Sequence, residues 1–109
     1  MRESTIEQYL VKQCKEAGWQ CYKFSSPAHR GVPDRIVCMP RGTVVFVEVK
    51  RPGGVLSKLQ EQCHSDLLRL GQHVSIVWNK EDVDTFVNHW KANIAWYWLT
   101  QEDINEMDK

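Results

Sequence analysis

The fold of this chain is decided by residues 31–50, which read GVPDRIVCMPRGTVVFVEVK. A β-prone run at 36–39 stops at Pro40-Arg41-Gly42, and Thr43–Val49 then carries the strongest strand pattern in the chain. Because a tight turn joins the two runs, they are expected to pair antiparallel as neighbouring strands. Asp34, at the start of the first strand, should then lie beside the end of the second.

Helical and strand patterns alternate around this hairpin. Apolar residues recur at helical spacing in 4–17, 56–70 and 80–90, whereas 19–25 and 73–78 are typical of short strands. The order α, β, β, β, α, β, α predicts an α/β fold with a mixed central sheet flanked by helices. The second helix is expected to pack on the sheet through an apolar face made of Leu59, Cys63, Leu67 and Leu70.

Size and composition fit one small domain without a membrane span. A chain of 109 residues has too little apolar surface for two cores, so a single domain is expected over 1–109, with its core at about 4–90 and a tail at 91–109. No apolar run approaches the roughly 20 residues that cross a bilayer, and the first residues lack a secretory signal. A cytoplasmic location is therefore expected, in a bacterial or virus-infected cell.

Cysteine spacing and net charge limit the kinds of site. The four cysteines have no C-x-x-C pattern and are expected to stay reduced. Cys63 and His64 could contribute to a zinc site, but adjacent ligands without a second close pair rarely form one. Fourteen basic and fourteen acidic residues give a formal net charge of zero, so any contact with nucleic acid must be local.

Three charged residues around the hairpin point to catalysis. Glu48 and Lys50 alternate with Val49, so they project from the same face of their strand, near the expected place of Asp34. Taken singly, the strand residues fit a solvated ion pair, and Asp34 fits a turn residue. Two converging carboxylates, however, repel each other unless a divalent cation lies between them, and hard oxygen ligands suit Mg²⁺ or Mn²⁺. Lys50 could activate water or neutralise transition-state charge, which favours phosphodiester hydrolysis.

Two motifs of the chain, Pro33-Asp34 and Glu48-Val49-Lys50, resemble those of the PD-(D/E)xK nuclease superfamily. A narrower similarity, to a stand-alone virus-type replication-repair nuclease (VRR-NUC) domain over about residues 4–90, rests on the order of Glu7, Gly31-Val32-Pro33-Asp34, Glu48-Val49-Lys50 and Leu56-Ser57 with Gln60. The resemblance implies a restriction-endonuclease-like αβββαβ core. It also implies that Asp34, Glu48 and the backbone carbonyl of Val49 bind the metal and that Lys50 is the catalytic lysine.

Two further polar residues have both a site role and a capping role. By the resemblance, Glu7 completes the metal shell from the first helix, and Gln60 joins the catalytic residues. Ser4-x-x-Glu7 and Ser57-x-x-Gln60 equally match the capping box, in which the third residue after the cap bonds back to it. Both interpretations stay open for each residue.

The resemblance also implies a substrate and an assembly. Stand-alone members resemble dimeric enzymes that act on branched DNA, so a metal-dependent endonuclease that cleaves four-way (Holliday) junctions as a homodimer is expected. Flap-directed, end-directed or restriction-like cleavage is the alternative among enzymes, and an inactive nucleic-acid-binding module is the alternative of another class. The basic residues that could bind phosphates, unless they are ordinary solvated charges, are His29, Arg30, Arg51 and Lys58.

The C-terminal tail has two interpretations. Its aromatic run, Trp96-Tyr97-Trp98-Leu99, could form the dimer interface or cover the sheet within one chain. The next residues, Thr100-Gln101-Glu102-Asp103, match the capping signature of a short last helix.

Overall fold

A computed structural model describes residues 1–97 and 105–106 of the chain. Trp98, Leu99 and residues 100–103 lie outside the described residues, and only the backbone of Trp96 and Tyr97 is described. The predicted order of helices and strands is confirmed, although the third helix is longer than expected and the first and fourth strands are shorter. The elements are α1 (Glu3–Glu16), β1 (Gln20–Lys23), β2 (Arg35–Met39), a 3-10 turn (Pro40–Gly42), β3 (Thr43–Val49), α2 (Lys58–Arg69), β4 (His73–Val77) and α3 (Lys80–Tyr97).

The four strands form one mixed sheet in the order β1-β2-β3-β4. Strand β2 is antiparallel to both β1 and β3, whereas β3 and β4 are parallel and are joined by the crossover connection through α2 that parallel strands need. The β2–β3 register pairs Arg35 with Val47, so continuing it by one residue places Asp34 opposite Glu48. The hairpin predicted from residues 31–50 is therefore confirmed.

Strand β3 lies inside the sheet and has two different faces. Val45, Val47 and Val49 are buried in one apolar cluster with side chains of α1 and α3. The alternate residues Val44 and Phe46 are only half-buried, and Glu48 follows them on that second face. Burial of a valine of this kind stabilises the fold by about 1.5 to 3 kcal/mol, so the β3 valines anchor the strand that carries the charged pair.

The predicted apolar face of α2 is wrong. Leu59 and Leu70 are exposed, Cys63 and Leu67 are half-buried, and the buried side chain of the helix is His64. Helix α2 packs mainly against β4, an edge strand, so the sheet offers it too narrow a surface to cover a full apolar stripe.

The two predicted capping boxes have opposite outcomes. At α2, Gln60 N–H donates to Ser57 Oγ over 3.1 Å, and Ser57 N–H donates to Gln60 Oε1 over 2.9 Å, which confirms the box. At α1 the helix already begins at Glu3, and its N-cap, Arg2, makes no side-chain cap bond. The Ser4 box is wrong because Ser4 lies inside the helix, where the carbonyl of Arg2 accepts the first backbone bonds.

All four cysteines are free thiols, of which Cys14 is buried and the others are half-buried. Among the described residues, none of the helices combines the length and apolar character needed to cross a bilayer.

Gly31 joins the loop before Asp34 to the start of α2. Its φ of +89° is unfavourable for residues with a side chain, and an added Cβ would lie 2.5 Å from the carbonyl oxygen of Leu59. Only glycine allows this close approach, and Pro33 is buried next to it. The residues before the Asp34 motif are therefore held against the helix that carries Gln60 and His64.

We expect Gly31→Ala to lower the free energy of unfolding by about 2 to 4 kcal/mol, because the left-handed φ and the backbone clash act together. Gly42→Ala is the matched control: its φ of +72° is similar, but nothing lies within 4 Å of an added Cβ. That variant should lose only about 1 kcal/mol. Urea denaturation measures both, and equal losses would contradict the proposed backbone contact.

Candidate active site

Asp34 is held at the end of β3 by backbone bonds on both sides. Its Oδ2 accepts the N–H of Val49 over 2.8 Å, and its own carbonyl accepts the N–H of Phe24 over 2.9 Å. The antiparallel pairing of β2 and β3 places it opposite Glu48, as the sequence predicted. The position of this carboxylate is therefore set by the sheet rather than by a flexible turn.

Glu48 is an almost fully buried acid, with 1% of its surface exposed. Burial, then a hydrogen bond between the carboxyl groups of Glu48 and Asp34, and then the repulsion between their charges raise the pKa of Glu48 to about 9. The charge of Lys50 opposes this shift. The Glu48 carboxyl group therefore holds a proton in the metal-free protein at pH 7, and a cation could replace that proton.

Lys50 is half-buried and follows β3 directly. Its backbone N–H donates to the carbonyl of Val77 over 3.0 Å, which continues the pairing of β3 with β4. Its ammonium acts on the pKa values of both Glu48 and His64, so it lies in the same electrostatic neighbourhood. The structure thus brings Asp34, Glu48 and Lys50 together.

These residues fit a hard divalent cation with few protein ligands. Among the described residues, no group of three or more His, Cys, Asp or Glu side chains could hold a metal ion, so a cation here would depend on the carboxylates of Asp34 and Glu48 together with backbone and water oxygens. Mg²⁺ is commonly bound through one or two carboxylates and keeps several waters. Val49 lies between Glu48 and Lys50, and its backbone carbonyl is a third hard oxygen at the same strand end.

Glu7 is engaged elsewhere. Its Oε2 accepts a bond from Arg35 Nε over 2.7 Å and lies 3.7 Å from Lys23 Nζ. The helix carboxylate whose charge raises the pKa of Glu48 is instead Glu3, one turn earlier on α1. Sequence reasoning missed Glu3, although its four-residue spacing from Glu7 places both on one side of the helix.

The structure shows the capping role predicted for Gln60 and is compatible with its predicted role in the site. Its Oε1 is used by the capping box with Ser57, while its amide N–H₂ group remains as a donor. Because Gly31 packs on Leu59, this end of α2 adjoins the loop that leads into Asp34.

His64 is a further functional candidate, and its contact with Glu48 was not predicted from the sequence. It is 6% exposed, and its Nε2 lies 3.3 Å from Oε1 of Glu48. Burial lowers its pKa, which favours the neutral ring at pH 7. The one available signal was its spacing of four residues after Gln60, which places both on one helix face.

The four predicted phosphate-binding residues are all exposed and flank the site. His29 and Arg30 lie in the loop before Asp34, Arg51 follows Lys50, and Lys58 is the first residue of α2. Within the described part of the chain, Arg30, Arg51 and Lys58 form no ion pair with a carboxylate. Their charges are therefore accessible to an anionic ligand.

Comparisons with known proteins identify relatives of the whole arrangement. The family model described as "VRR-NUC domain" matches residues 3–79. A protein of Acyrthosiphon pisum secondary endosymbiont phage 1, named "Putative nuclease p44", is 41% identical over 87 residues, which are 80% of this chain and 92% of the phage protein. A solved VRR_NUC domain structure matches with a TM-score of 0.76 and 28% identity, over 81% of this chain and 96% of that one. This chain therefore belongs to the VRR-NUC family of nuclease domains.

Proposed function

We propose that this chain is a divalent-metal-dependent endonuclease that hydrolyses phosphodiester bonds in branched DNA. The observation that carries the proposal is the carboxylate pair of Asp34 and Glu48 beside Lys50, at the end of β3. A buried carboxylate destabilises a protein unless a proton or a cation compensates its charge. Because the chain belongs to a nuclease family, phosphodiester hydrolysis is the reaction that we assign to such a cation site.

Asp34, Glu48 and the carbonyl of Val49 would hold Mg²⁺ or Mn²⁺. Such a cation polarises a phosphodiester oxygen and lowers the pKa of a bound water. Residues of this chain then bind the phosphate and orient the attacking water. Lys50 stabilises negative charge on the phosphate or orients the attacking water, because a half-buried ammonium acts more strongly than one in bulk water.

Gln60 and the basic residues contribute to DNA binding in this proposal. The free amide N–H₂ group of Gln60 can donate to a phosphate or water oxygen beside the site. The exposed side chains of His29, Arg30, Arg51 and Lys58 supply a local positive surface on a chain of zero net charge. Contacts with phosphates of this kind position DNA without reading its sequence, which suits selection by DNA structure.

Branched DNA and a homodimer are the finer parts of the proposal. They come from the resemblance to stand-alone family members and from the need for two active sites to cut a four-way junction symmetrically. Flap-directed, end-directed or restriction-like cleavage is the second candidate within the enzymes. A module that only binds nucleic acid is disfavoured, because it would gain nothing from the destabilising Asp34–Glu48 pair. The phage relative supports action in the cytoplasm of a bacterial or infected cell.

The test is cleavage of a labelled panel of four-way junction, flap, duplex and single-stranded DNA in Mg²⁺, Mn²⁺ or EDTA. We expect cleavage only with a divalent cation, with the junction or another branched substrate preferred. Glu48→Ala should be inactive because it removes a metal ligand, and Lys50→Ala should cleave far more slowly because it removes the stabilising charge. Wild-type rates in both variants would contradict the mechanism.

We further expect sedimentation equilibrium to give a mass twice the 12.8 kDa of one chain at micromolar concentration. A two-fold dimer presents two equivalent sites, which paired incisions in a junction require. A monomer across that concentration range would contradict symmetric junction resolution and leave flap- or end-directed cleavage as the better substrate assignment.

A further inference from the structure

His64 is a buried polar residue, and its hydrogen-bond partner among the described residues is Glu48. It is the buried residue of α2, and its Nε2 lies 3.3 Å from Oε1 of Glu48. Buried helix positions are usually apolar, and a buried polar side chain is tolerated when it has a hydrogen-bond partner. His64 lies outside the motifs by which the chain resembles its family. Its contact with the proposed metal ligand therefore requires an explanation of its own.

We propose that His64 is a positioning residue, which donates a hydrogen bond from Nε2 to Oε1 of Glu48 and thereby directs Oε2 toward the divalent cation. The inference rests on the proposed function, because it assigns Glu48 to the metal. Carboxylates that bind metals are commonly held by a hydrogen bond of this kind, which fixes their orientation.

The two proposed ligands are held in matching ways. Oδ2 of Asp34 accepts the backbone N–H of Val49 over 2.8 Å, which leaves Oδ1 for another partner. Oε1 of Glu48 meets His64, which leaves Oε2. Each carboxylate thus has one oxygen held by the rest of the protein, and a cation would replace the proton of the hydrogen bond between the two carboxyl groups. Without His64, the longer side chain of Glu48 would lose the contact that orients it.

Helix α2 is well placed to hold the imidazole still. The capping box of Ser57 and Gln60 fixes the start of the helix, and Gly31 packs against the backbone of Leu59. His64 follows Gln60 by four residues, so it lies one turn farther along the same helix face. Helix α2 therefore holds both the loop that leads into Asp34 and the imidazole of His64, which contacts Glu48.

The test measures Mn²⁺ binding to the free protein by isothermal titration calorimetry, alongside the Mn²⁺ dependence of cleavage. His64→Leu fills the buried position with an apolar side chain and removes the donor, so we expect 10- to 100-fold weaker Mn²⁺ binding. The Mn²⁺ concentration for half-maximal cleavage should rise by the same factor, while the rate at saturating Mn²⁺ stays near that of the wild type. His64→Gln retains a terminal N–H donor and should restore most of the affinity.

Leu68→Ala is the matched control, because Leu68 lines the same surface groove as His64 but is an exposed apolar side chain without a hydrogen-bond donor. It should bind Mn²⁺ as the wild type does. A folded His64→Leu protein with wild-type Mn²⁺ affinity would overturn the role of His64 alone. If His64→Leu does not fold, the Mn²⁺ affinity of His64→Asn is compared with that of His64→Gln, because the amide of asparagine is too short to reach Glu48. Equal affinities of these two variants would overturn the role of His64. A wild-type protein that binds no Mn²⁺ would overturn the proposed function as well.

Discussion

Lys50→Ala is expected to lower the rate of metal-dependent DNA cleavage by about 10²- to 10⁴-fold, the usual effect of removing a group that moves a proton or stabilises charge in the transition state. Lys50 is not one of the proposed metal ligands, so the variant should still bind Mn²⁺. The loss should therefore appear in kcat at saturating metal and DNA. Single-turnover cleavage of the preferred substrate measures it directly.

Lys91→Ala provides the control for this experiment, since Lys91 is an exposed lysine on α3. It removes the same charge at a distance from the site and should leave kcat unchanged. If Lys50→Ala lost activity only through weaker Mn²⁺ binding, the lysine would support the metal site and would not act on the reacting phosphate.

Glu48→Gln is expected to stabilise the metal-free protein while abolishing metal binding. The substitution keeps the shape of the side chain and removes a carboxyl group that must take up a proton when the protein folds at pH 7, because burial and Asp34 raise its pKa to about 9. We expect a gain of about 2 kcal/mol in the free energy of unfolding at pH 7. For a domain of this size that gain is roughly 10 °C in Tm. Thermal unfolding in EDTA measures it.

The stabilisation expected from Glu48→Gln depends on pH in a direction that the raised pKa of Glu48 determines. Because the pKa of Glu48 is raised from 4.5 to about 9, the folded protein binds this proton more tightly than the unfolded chain does. The associated stability is full at low pH and is lost as the pH rises from about 4.5 towards 9. The stabilisation by Glu48→Gln should therefore grow with pH across this window. His64, whose pKa is lowered, contributes in the opposite direction in both proteins.

Adding Mn²⁺ should reverse the order of stability. The wild type should gain stability with the logarithm of the Mn²⁺ concentration once this exceeds the dissociation constant, whereas Glu48→Gln lacks the ligand and should not respond. Glu16→Gln, at an exposed position of α1, is the control and should change the free energy of unfolding by less than about 0.5 kcal/mol. A Glu48→Gln protein that is less stable than the wild type in EDTA would contradict the strained carboxylate pair.

Local patterns were sufficient to predict the sheet and the central trio. The alternating valines of Thr43–Val49, the turn at Pro40–Gly42 and the helical spacing on either side are short-range features. Strand pairing across a tight turn then required Asp34 to meet Glu48, because an antiparallel register has little freedom once its turn is set. The same alternation placed Lys50 on the face of Glu48.

The sequence by itself therefore determined the α/β order, the hairpin and the meeting of Asp34, Glu48 and Lys50. Only the tertiary structure decided which helix residues support them. Helical spacing in α2 predicted that its leucines face the sheet. Because the helix packs on the narrow edge of the sheet, Leu59 and Leu70 are exposed and His64 is buried against Glu48. On α1 the salt bridge with Arg35 occupies Glu7. Such contacts join residues far apart in the chain, and their outcome depends on how each helix docks, which no local spacing specifies.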